Sequence, residues 1–399
     1  MRMSKSSSHD VIVSGGGTPG LALALLLANV GLRVAVIDPA PLSRFRLGAP
    51  EGRTSALMQS SIAALKMTGA WEMALPYGAS LEVLRIVDDS FGRKKQQIET
   101  DFPAADIGLS FFGINMPNNI LRTALAIRAQ ENKAISLCDS LRLAQFSPDD
   151  TGVSVTLSDG SILQGALLVA ADGRASPVRE QSGIVCWEHE YEQTAITCLI
   201  NHSSPHQNVS TEFHRPGGPF TLVPLPGNTS SVVWVEKKND ADGYMKLNRQ
   251  SFEQALQDRT NGRLGRIILS SDPQSCPLIA LRAKNYISQR VALVAEAAHV
   301  LSPLGAQGLN LSLRDIDCLA KTIIKAAQTG LDVGAQSVLS LYEKDRRADI
   351  LIRSLGTDGL TRLVSHNHRP LHSLRRTGLK AISMIEPLKI MAMQQGMSA

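Results

Sequence analysis

A parallel α/β core, interrupted by antiparallel sheet and finished by helices, is the fold class this sequence predicts, on three features. Asp10–Val13 and Arg33–Asp38 are short apolar runs of β-type residues that bracket a glycine turn and a helical stretch, as buried parallel strands do. Leu81 to Thr100 and Tyr191 to Val235 alternate apolar with polar residues, the pattern of antiparallel strands with one wetter face. From about Val338 the chain turns helical and basic.

The elements follow in order. After the first strand comes Gly15-Gly-Gly17-Thr-Pro-Gly20, a G-x-G-x-x-G turn. Thr18 can cap a helix, and Pro19 is tolerated in a first turn where its missing N–H is not needed. That helix runs to about Asn29 and stops at Gly31, before the strand Arg33–Asp38. Strand, glycine turn, helix and strand open a Rossmann unit. Gly15 permits the tight turn, Gly17 lets a pyrophosphate approach the helix N-terminus, and Gly20 allows close helix–strand packing. Asp38, about twenty residues on, is placed to accept hydrogen bonds from ribose hydroxyls. Ile120–Gln130 has helical periodicity. Val153–Leu157, the Asp159-Gly160 turn and Ile162-Leu163 form a hairpin, followed by an apolar strand Ala166–Ala170. Gly217-Gly218 and Pro226-Gly227 are turns within the antiparallel part. Val291–Val294 is a further apolar strand, and Leu309–Ala327 a long helix.

Gross numbers set bounds on the rest. A chain of 399 residues exceeds what one core normally holds, so two or three interleaved units are expected. A net charge of +5, without basic runs interleaved with aromatics, argues against a nucleic-acid binder. Cys138, Cys186, Cys198, Cys276 and Cys318 have no C-x-x-C spacing, which reads as reduced thiols in a cytosolic protein. No Cys/His pair has zinc-ligand spacing, so no metal is expected. The apolar stretch Leu21–Val30 is far shorter than the ~20 residues of a membrane span, and glycines separate it from Arg2 and Lys5. It reads as a buried helix.

Two further segments separate a flavin site from a nicotinamide site. Leu168-Val-Ala-Ala-Asp172-Gly173 is a strand ending in Asp-Gly. Leu293-Val-Ala-Glu296-Ala-Ala-His299 is a strand ending in an acid, followed by Ser302-Pro303-Leu-Gly305-Ala-Gln307-Gly308-Leu-Asn310. With the glycine turn, these resemble the three fingerprints of class A flavoprotein monooxygenases, the para-hydroxybenzoate hydroxylase type. Gly52-Arg53-Thr-Ser55, Pro117-Asn118-Asn-Ile-Leu121-Arg122, Gly218–Pro226 and Thr357–Ser365 narrow the likeness to the ubiquinone-biosynthesis hydroxylases, over essentially the whole chain.

That resemblance implies a Rossmann-type FAD-binding domain with an inserted antiparallel β-sheet substrate domain and C-terminal helices. The FAD domain is expected over 1–78, 106–186 and 276–335, the substrate domain over 79–105 and 187–275, and helices over 336–399. The resemblance also implies roles. Arg53 would face the FAD pyrophosphate, Arg122 would belong to the cofactor site, and Asp172 and Gly173 would anchor the cofactor. Glu296 would bond the ribityl chain, and the loop through Pro303, Gly305, Gln307 and Gly308 would lie along the isoalloxazine. The Leu309 and Asn310 backbone would address the flavin N1/O2 edge. Electrostatics support that last role independently, because a helix starting near Gly308 presents unpaired N–H groups that favour negative charge. One departure stands out: the expected Gly-Asp is Ala295-Glu296 here.

The implied chemistry is reduction of FAD by NAD(P)H, formation of a C4a-hydroperoxyflavin with O2, and oxygen transfer to an aromatic ring. The cofactor does the difficult step while the protein positions the ring and excludes water, which fits the lack of a catalytic triad or metal cluster. The Pro303 carbonyl would border the substrate hydroxyl. His299 is a candidate acid–base group, with space filling beneath the flavin loop as the alternative. A prenylated phenol is nearly insoluble, so peripheral contact with the inner face of the membrane is one expectation for a cytoplasmic protein. Arg353, Arg362, Arg369, Arg375, Arg376, Lys380 and Lys389, with apolar neighbours from Leu379 to Met391, could serve it. Packing of that segment on its own domain is the alternative. Other readings are a non-catalytic scaffold in a ubiquinone-synthesis complex, or a hydroxylase of another aromatic substrate. Trp71, Trp187 and Trp234 do not form the W-x-W of halogenases.

Overall fold

The computed structural model describes residues 8–41, 47–48, 50–89, 97–301, 307–365, 389–390 and 393, with side chains in the long C-terminal helix described through 355. Its first layer is an eight-stranded sheet. Ile287–Ser288, Val291–Leu293, Ile162–Ala170, Ser8–Ser14, Val34–Asp38 and Ile135–Asp139 lie side by side in that order. The strands from Val291 to Asp139 in this order are mutually parallel. Both faces are covered, and Val34–Asp38 is buried at all five positions, which explains its uninterrupted apolar sequence. The helix Thr18–Ala28 is buried at every position except Pro19. Apolar on all sides, it fits only in an interior, packed against the helices Asn118–Glu131 and Gln307–Gln328.

A second, nine-stranded sheet takes strands from Val83–Asp88, Ile98–Pro103, Cys186–His202, Val209–Arg215, Gly218–Leu225, Thr229–Lys237 and Gln274–Ala283, among others. Its faces are chemically different. Ile196 pairs with Trp234, Phe220 with Trp234, and Phe213 with Phe220, so these side chains share the outer face. There they meet Phe252 and Leu256 of the helix Arg249–Arg259 in a separate core. Arginines add to this layer: Arg259 lies 4.2 Å from the Trp234 ring centre and Arg215 4.7 Å from that of Phe213. Each also pairs with an acid, Glu236 and Asp89 respectively. The inner face carries Thr197 opposite Val233, Thr221 opposite Val233, and Ser231. Ser231 receives hydrogen bonds from Thr54 at 2.8 Å and from the Asn115 amide at 3.2 Å. These bonds tie the inner face to the first layer through the small sheet containing Thr54–Met58.

The structure departs from the sequence reading in several elements. Ile162-Leu163 and Ala166–Ala170 are one strand, antiparallel to Val153–Leu157 at its start and parallel to Ser8–Ser14 along its length. The strands Ile135–Asp139 and Leu143–Pro148 and the helices Lys238–Met245 and Arg249–Arg259 were not anticipated. Both helices are rich in polar residues, and their apolar stripe is too thin to register as a period. Gln274–Ala283 carries the antiparallel sheet past position 275, because it pairs with Cys186–Thr197 over its length.

Gly20 and Gly17 separate two uses of glycine. A Cβ on Gly20 would sit 1.9 Å from the Gly15 carbonyl oxygen, whereas one on Gly17 would meet only Pro19 Cδ at 3.8 Å. Gly17 caps the helix with an extended backbone at φ −74° that any residue adopts. We therefore expect Gly20→Ala to lower the free energy of urea unfolding by about 2–3 kcal/mol. Gly17→Ala should cost about 1 kcal/mol or less; equal losses in the two variants would contradict this packing argument.

Candidate cofactor site at the carboxyl edge of the parallel sheet

Three of the expected segments end together. Ser14 lies in register with Ala170 and Ile37, and Ala170 with Leu293. The glycine turn, the Asp172-Gly173 turn and the Ala295-Glu296 turn therefore leave adjacent strands at their carboxyl ends, where open α/β sheets bind ligands. The approach is very close. A Cβ on Gly15 would fall 2.2 Å from the Ala171 carbonyl oxygen, and Gly15 has φ +107°. Only glycine meets both conditions. Asp38 accepts hydrogen bonds from Gly16 N–H at 2.6 Å, Ala40 N–H at 2.8 Å and Arg122 at 3.2 Å. Arg122 also donates to the Gly16 carbonyl at 2.9 Å. Asp38 and Arg122 thus hold the shape of the turn.

Asp172 is the most exposed to demand. Its Oδ2 accepts from Val178 N–H at 3.3 Å and the Ser14 hydroxyl at 3.5 Å, while its buried Oδ1 has no hydrogen-bond partner among the described residues. Burial pushes its carboxyl up, and Ser176 and the Val178 N–H oppose the shift. A buried acceptor left open beside a glycine turn fits a ligand bearing hydroxyl or amide donors. Glu296 is exposed although its neighbours Ala295 and Ala297 are buried, so its carboxylate faces out of the strand end. Arg53 is exposed, and its carbonyl accepts from Asn118 N–H at 3.0 Å. Gly173 has φ +86° and open space around it, and Gly308 also has open space. These acceptors, the exposed Arg53 and the clearances fit FAD.

Gln307, Gly308, Leu309 and Asn310 form the first turn of the helix Gln307–Gln328. Asn310 is 1% exposed. Its amide donates to the Ala56 carbonyl at 2.7 Å and accepts from Met58 N–H at 2.9 Å and Ser61 Oγ at 2.7 Å. The side chain fixes this helix N-terminus against the strand Thr54–Met58. Pro303 and Gly305 lie outside the described residues.

Comparison with known proteins decides the family. A family model described as FAD binding domain matches residues 8–350. The chain belongs to that family. It is 35% identical over 390 residues to the ubiquinone hydroxylase UbiL of Rhodospirillum rubrum, a match spanning 97% of this chain and 89% of that one. The ubiquinone hydroxylase UbiM of Neisseria meningitidis is 30% identical, over 98% of this chain and 85% of its own. Among solved structures, Pseudomonas aeruginosa PqsL, a probable FAD-dependent monooxygenase, superposes with a TM-score of 0.80 at 20% identity, covering 94% of this chain and all of PqsL. It shares the fold. This chain is an FAD-dependent aromatic monooxygenase of the ubiquinone-hydroxylase type.

The hydroxylase contains a buried ionic cluster that the sequence reading missed. Asp315 is fully buried. It accepts from Arg346 at 2.8 Å and from Ala295 N–H at 3.0 Å, and lies 2.6 Å from His299 Nε2. Burial alone would raise its carboxyl, but His299 and Arg346 outweigh it and hold the group below the ordinary aspartate range. His299 is 2% exposed and turned toward Asp315, so its geometry is that of an anchor beneath the Glu296 turn and not of a substrate-facing base. A signal was available: Asp315 interrupts the buried series Leu311, Leu313, Ile316 and Leu319, and Arg346 interrupts Leu339, Tyr342 and Ile350. A charge at an apolar-periodic position requires a buried partner.

The cluster also accounts for Ala295. Its φ is +56°, a left-handed conformation that costs about 1–2 kcal/mol for a residue with a Cβ; the hydrogen bond to Asp315 holds it there. Ala295→Gly should raise the unfolding free energy by about 0.5–1 kcal/mol, and a loss of stability would refute the strain. Asp315→Asn should cost about 3–5 kcal/mol near neutral pH, since Arg346 loses its buried counter-charge. Because the Asp315 carboxyl is depressed in the fold, its contribution is present above the usual aspartate pKa and is lost as pH falls through the lower folded value. The gap between the wild type and Asp315→Asn in denaturation midpoint should therefore narrow only in that acid range.

Proposed function

We propose that this hydroxylase inserts one oxygen atom from O2 into the ring of a prenylated phenol in ubiquinone synthesis, with NAD(P)H as reductant. The observation that carries the reading is the likeness to a ubiquinone hydroxylase along 97% of the chain, which takes in both the cofactor edge and the sheet face above it. Bound FAD supplies two-electron reduction and oxygen activation. The protein's part is to bind, orient and exclude water. Gly15 and Gly17 let the helix N-terminus at Thr18 receive the pyrophosphate, with Arg53 adding positive charge. Asp172 Oδ1 and Glu296 accept cofactor hydroxyls. The N–H groups of Leu309 and Asn310 favour negative charge on the reduced flavin. Pro303 borders the substrate in this reading, and His299 acts through the Ala295-Glu296 turn.

Peripheral contact with a membrane belongs to the same reading. No helix among the described residues is long and apolar enough to cross a bilayer. The helix Gln336–Ser365 exposes Leu341, Ile352 and Leu355 at 57%, 70% and 61%, with Lys344 and Arg347 exposed nearby, a composition suited to anionic lipid. Two of the basic residues singled out in the sequence have internal partners instead, Arg353 with Asp349 and Lys389 with Asp106. The side chain of Arg362 and residues 369–388 lie outside what is described.

The test is oxygenation of a short-chain prenylated phenol by the FAD-loaded protein under ¹⁸O2, read by mass spectrometry. Incorporation of one labelled atom with NAD(P)H consumption is expected; oxidation of NAD(P)H with no labelled product from any phenol would overturn the reading. Asp172→Asn separates cofactor from fold. A carboxyl raised by burial stabilises the fold below its unfolded pKa and loses that contribution as pH rises through the folded value. At pH 7 the apoprotein of Asp172→Asn should therefore unfold at an equal or higher temperature than wild type, while its FAD dissociation constant rises by roughly tenfold or more. Gly17→Ala should weaken FAD binding with the small stability change given above. Unchanged affinity in both would remove these residues from the site.

A further inference from the structure

Among the described residues of the cofactor edge, His299 is committed to Asp315 and is not placed to take a proton from a phenol. The inner face of the nine-stranded sheet supplies a group that is. Along Val209–Arg215, Phe213 and Arg215 point to the outer aromatic core, so Glu212 and His214 alternate onto the inner face. Glu212 stands opposite Thr221, which in turn stands opposite Val233. Both residues thus share the face whose Ser231 is hydrogen-bonded to Thr54 and Asn115, and Thr54 begins the strand that Asn310 clamps. The helix Gln336–Ser365 packs across the same two strands.

The pair has the geometry of a proton acceptor. His214 is 6% exposed, and its Nε2 lies 2.8 Å from Glu212 Oε1. A carboxylate can only accept, so Nε2 carries a hydrogen, and in the neutral imidazole Nδ1 is then the ring's acceptor. That Nδ1 is buried and has no hydrogen-bond partner among the described residues. His202, by contrast, uses both ring nitrogens, on Ser204 O and Ser230 Oγ. The other titratable group facing His214 from the sheet is Asp88, in register on the adjacent strand and fully buried.

We propose that Glu212 and His214 form the phenol-recognition site of this hydroxylase, with His214 Nδ1 as the acceptor of the substrate's hydroxyl proton; this rests on the aromatic-substrate reading above. The phenol O–H bond breaks, an Nδ1–H bond forms, and the electron pair stays on oxygen, where it raises electron density at the ring carbon that is oxygenated. Glu212 stabilises the imidazolium formed. On rearomatisation the proton of the oxygenated carbon passes to the second oxygen atom of O2, which leaves as water, and the imidazolium returns its proton to the product phenolate.

The experiment uses the FAD-loaded full chain, oxidised and without reductant, titrated with 4-nitrophenol, whose phenolate band reports ionisation directly. At a pH where the free dye is largely protonated, the wild type should bind it mainly as phenolate. His214→Gln should bind it as the neutral phenol, and Glu212→Gln should give an intermediate fraction. Oxygenation of the prenylated phenol should fall on the order of a hundredfold in His214→Gln, with hydrogen peroxide released in place of product. Wild-type binding without ionisation overturns the proposal, as does full ionisation or full oxygenation in His214→Gln. Should that variant not fold, unaltered ionisation in Glu212→Gln overturns it. If the wild type neither binds nor oxygenates any phenol, the substrate reading itself has failed; if it oxygenates normally and His214→Gln does so equally, this proposal alone has.

Discussion

The site depends on one close approach, that of the Gly15 backbone to Ala171. A hypothetical Cβ at 2.2 Å from the Ala171 oxygen means that any side chain there would push apart the two central strands at their carboxyl ends. With glycine, the Ala171 N–H donates to the Ser14 carbonyl at 2.7 Å, and the glycine turn and Asp172 come to share one surface. Dinucleotide binding needs bare backbone N–H groups at a helix N-terminus beside an acceptor from the next strand. A glycine-rich turn on a helix without that second strand would bind phosphate alone. The neighbouring strand makes the surface specific for a longer, hydroxyl-bearing cofactor.

Two buried polar side chains keep that edge rigid. Asn310 joins the start of one helix to the strand before Met58, and Asp315, five residues on, joins the same helix to the Ala295 turn and to Arg346. Each satisfies its hydrogen-bonding capacity within the protein, the condition under which buried polarity adds specificity and not only desolvation. Their spacing matters as well. Residues 310 and 315 lie about one and a half helical turns apart, so a single helix is held from two directions. The strain stored at Ala295 is tolerable only because this clamp over-determines the turn.

Much of this was legible in the chain, and what was not has a physical reason. The glycines at 15, 17 and 20, the strand-terminal acids at 172 and 296 and the flanking strands could be read because each is fixed by local chemistry. The meeting of the strand ends follows from parallel pairing of strands separated by more than a hundred residues, which periodicity does not report. The likeness to known hydroxylases supplied it. His299 stayed open between two readings because a histidine after a strand looks alike whether it faces substrate or a buried carboxylate. Its partner Asp315 was hidden within a helix whose apolar rhythm dominates. The helices Lys238–Met245 and Arg249–Arg259 escaped because a sheet face needs only a thin apolar stripe to hold them, Phe252 and Leu256 in the second case.

The distribution of satisfied and open polar atoms shows where this fold ends and its chemistry begins. Asp38, Arg122, Asn310 and Asp315 are hydrogen-bonded within the protein, so their energy is spent on shape. Asp172 Oδ1 and His214 Nδ1 are buried without a hydrogen-bond partner among the described residues, a state that destabilises a folded chain unless something else compensates. Those two atoms lie on different layers, one on the edge of the parallel sheet and one on the inner face of the antiparallel sheet. Thr54, Asn115 and Ser231 hold the two layers in contact between them. An enzyme that must keep a cofactor and an aromatic ring in register needs layers that are held rigidly where they join.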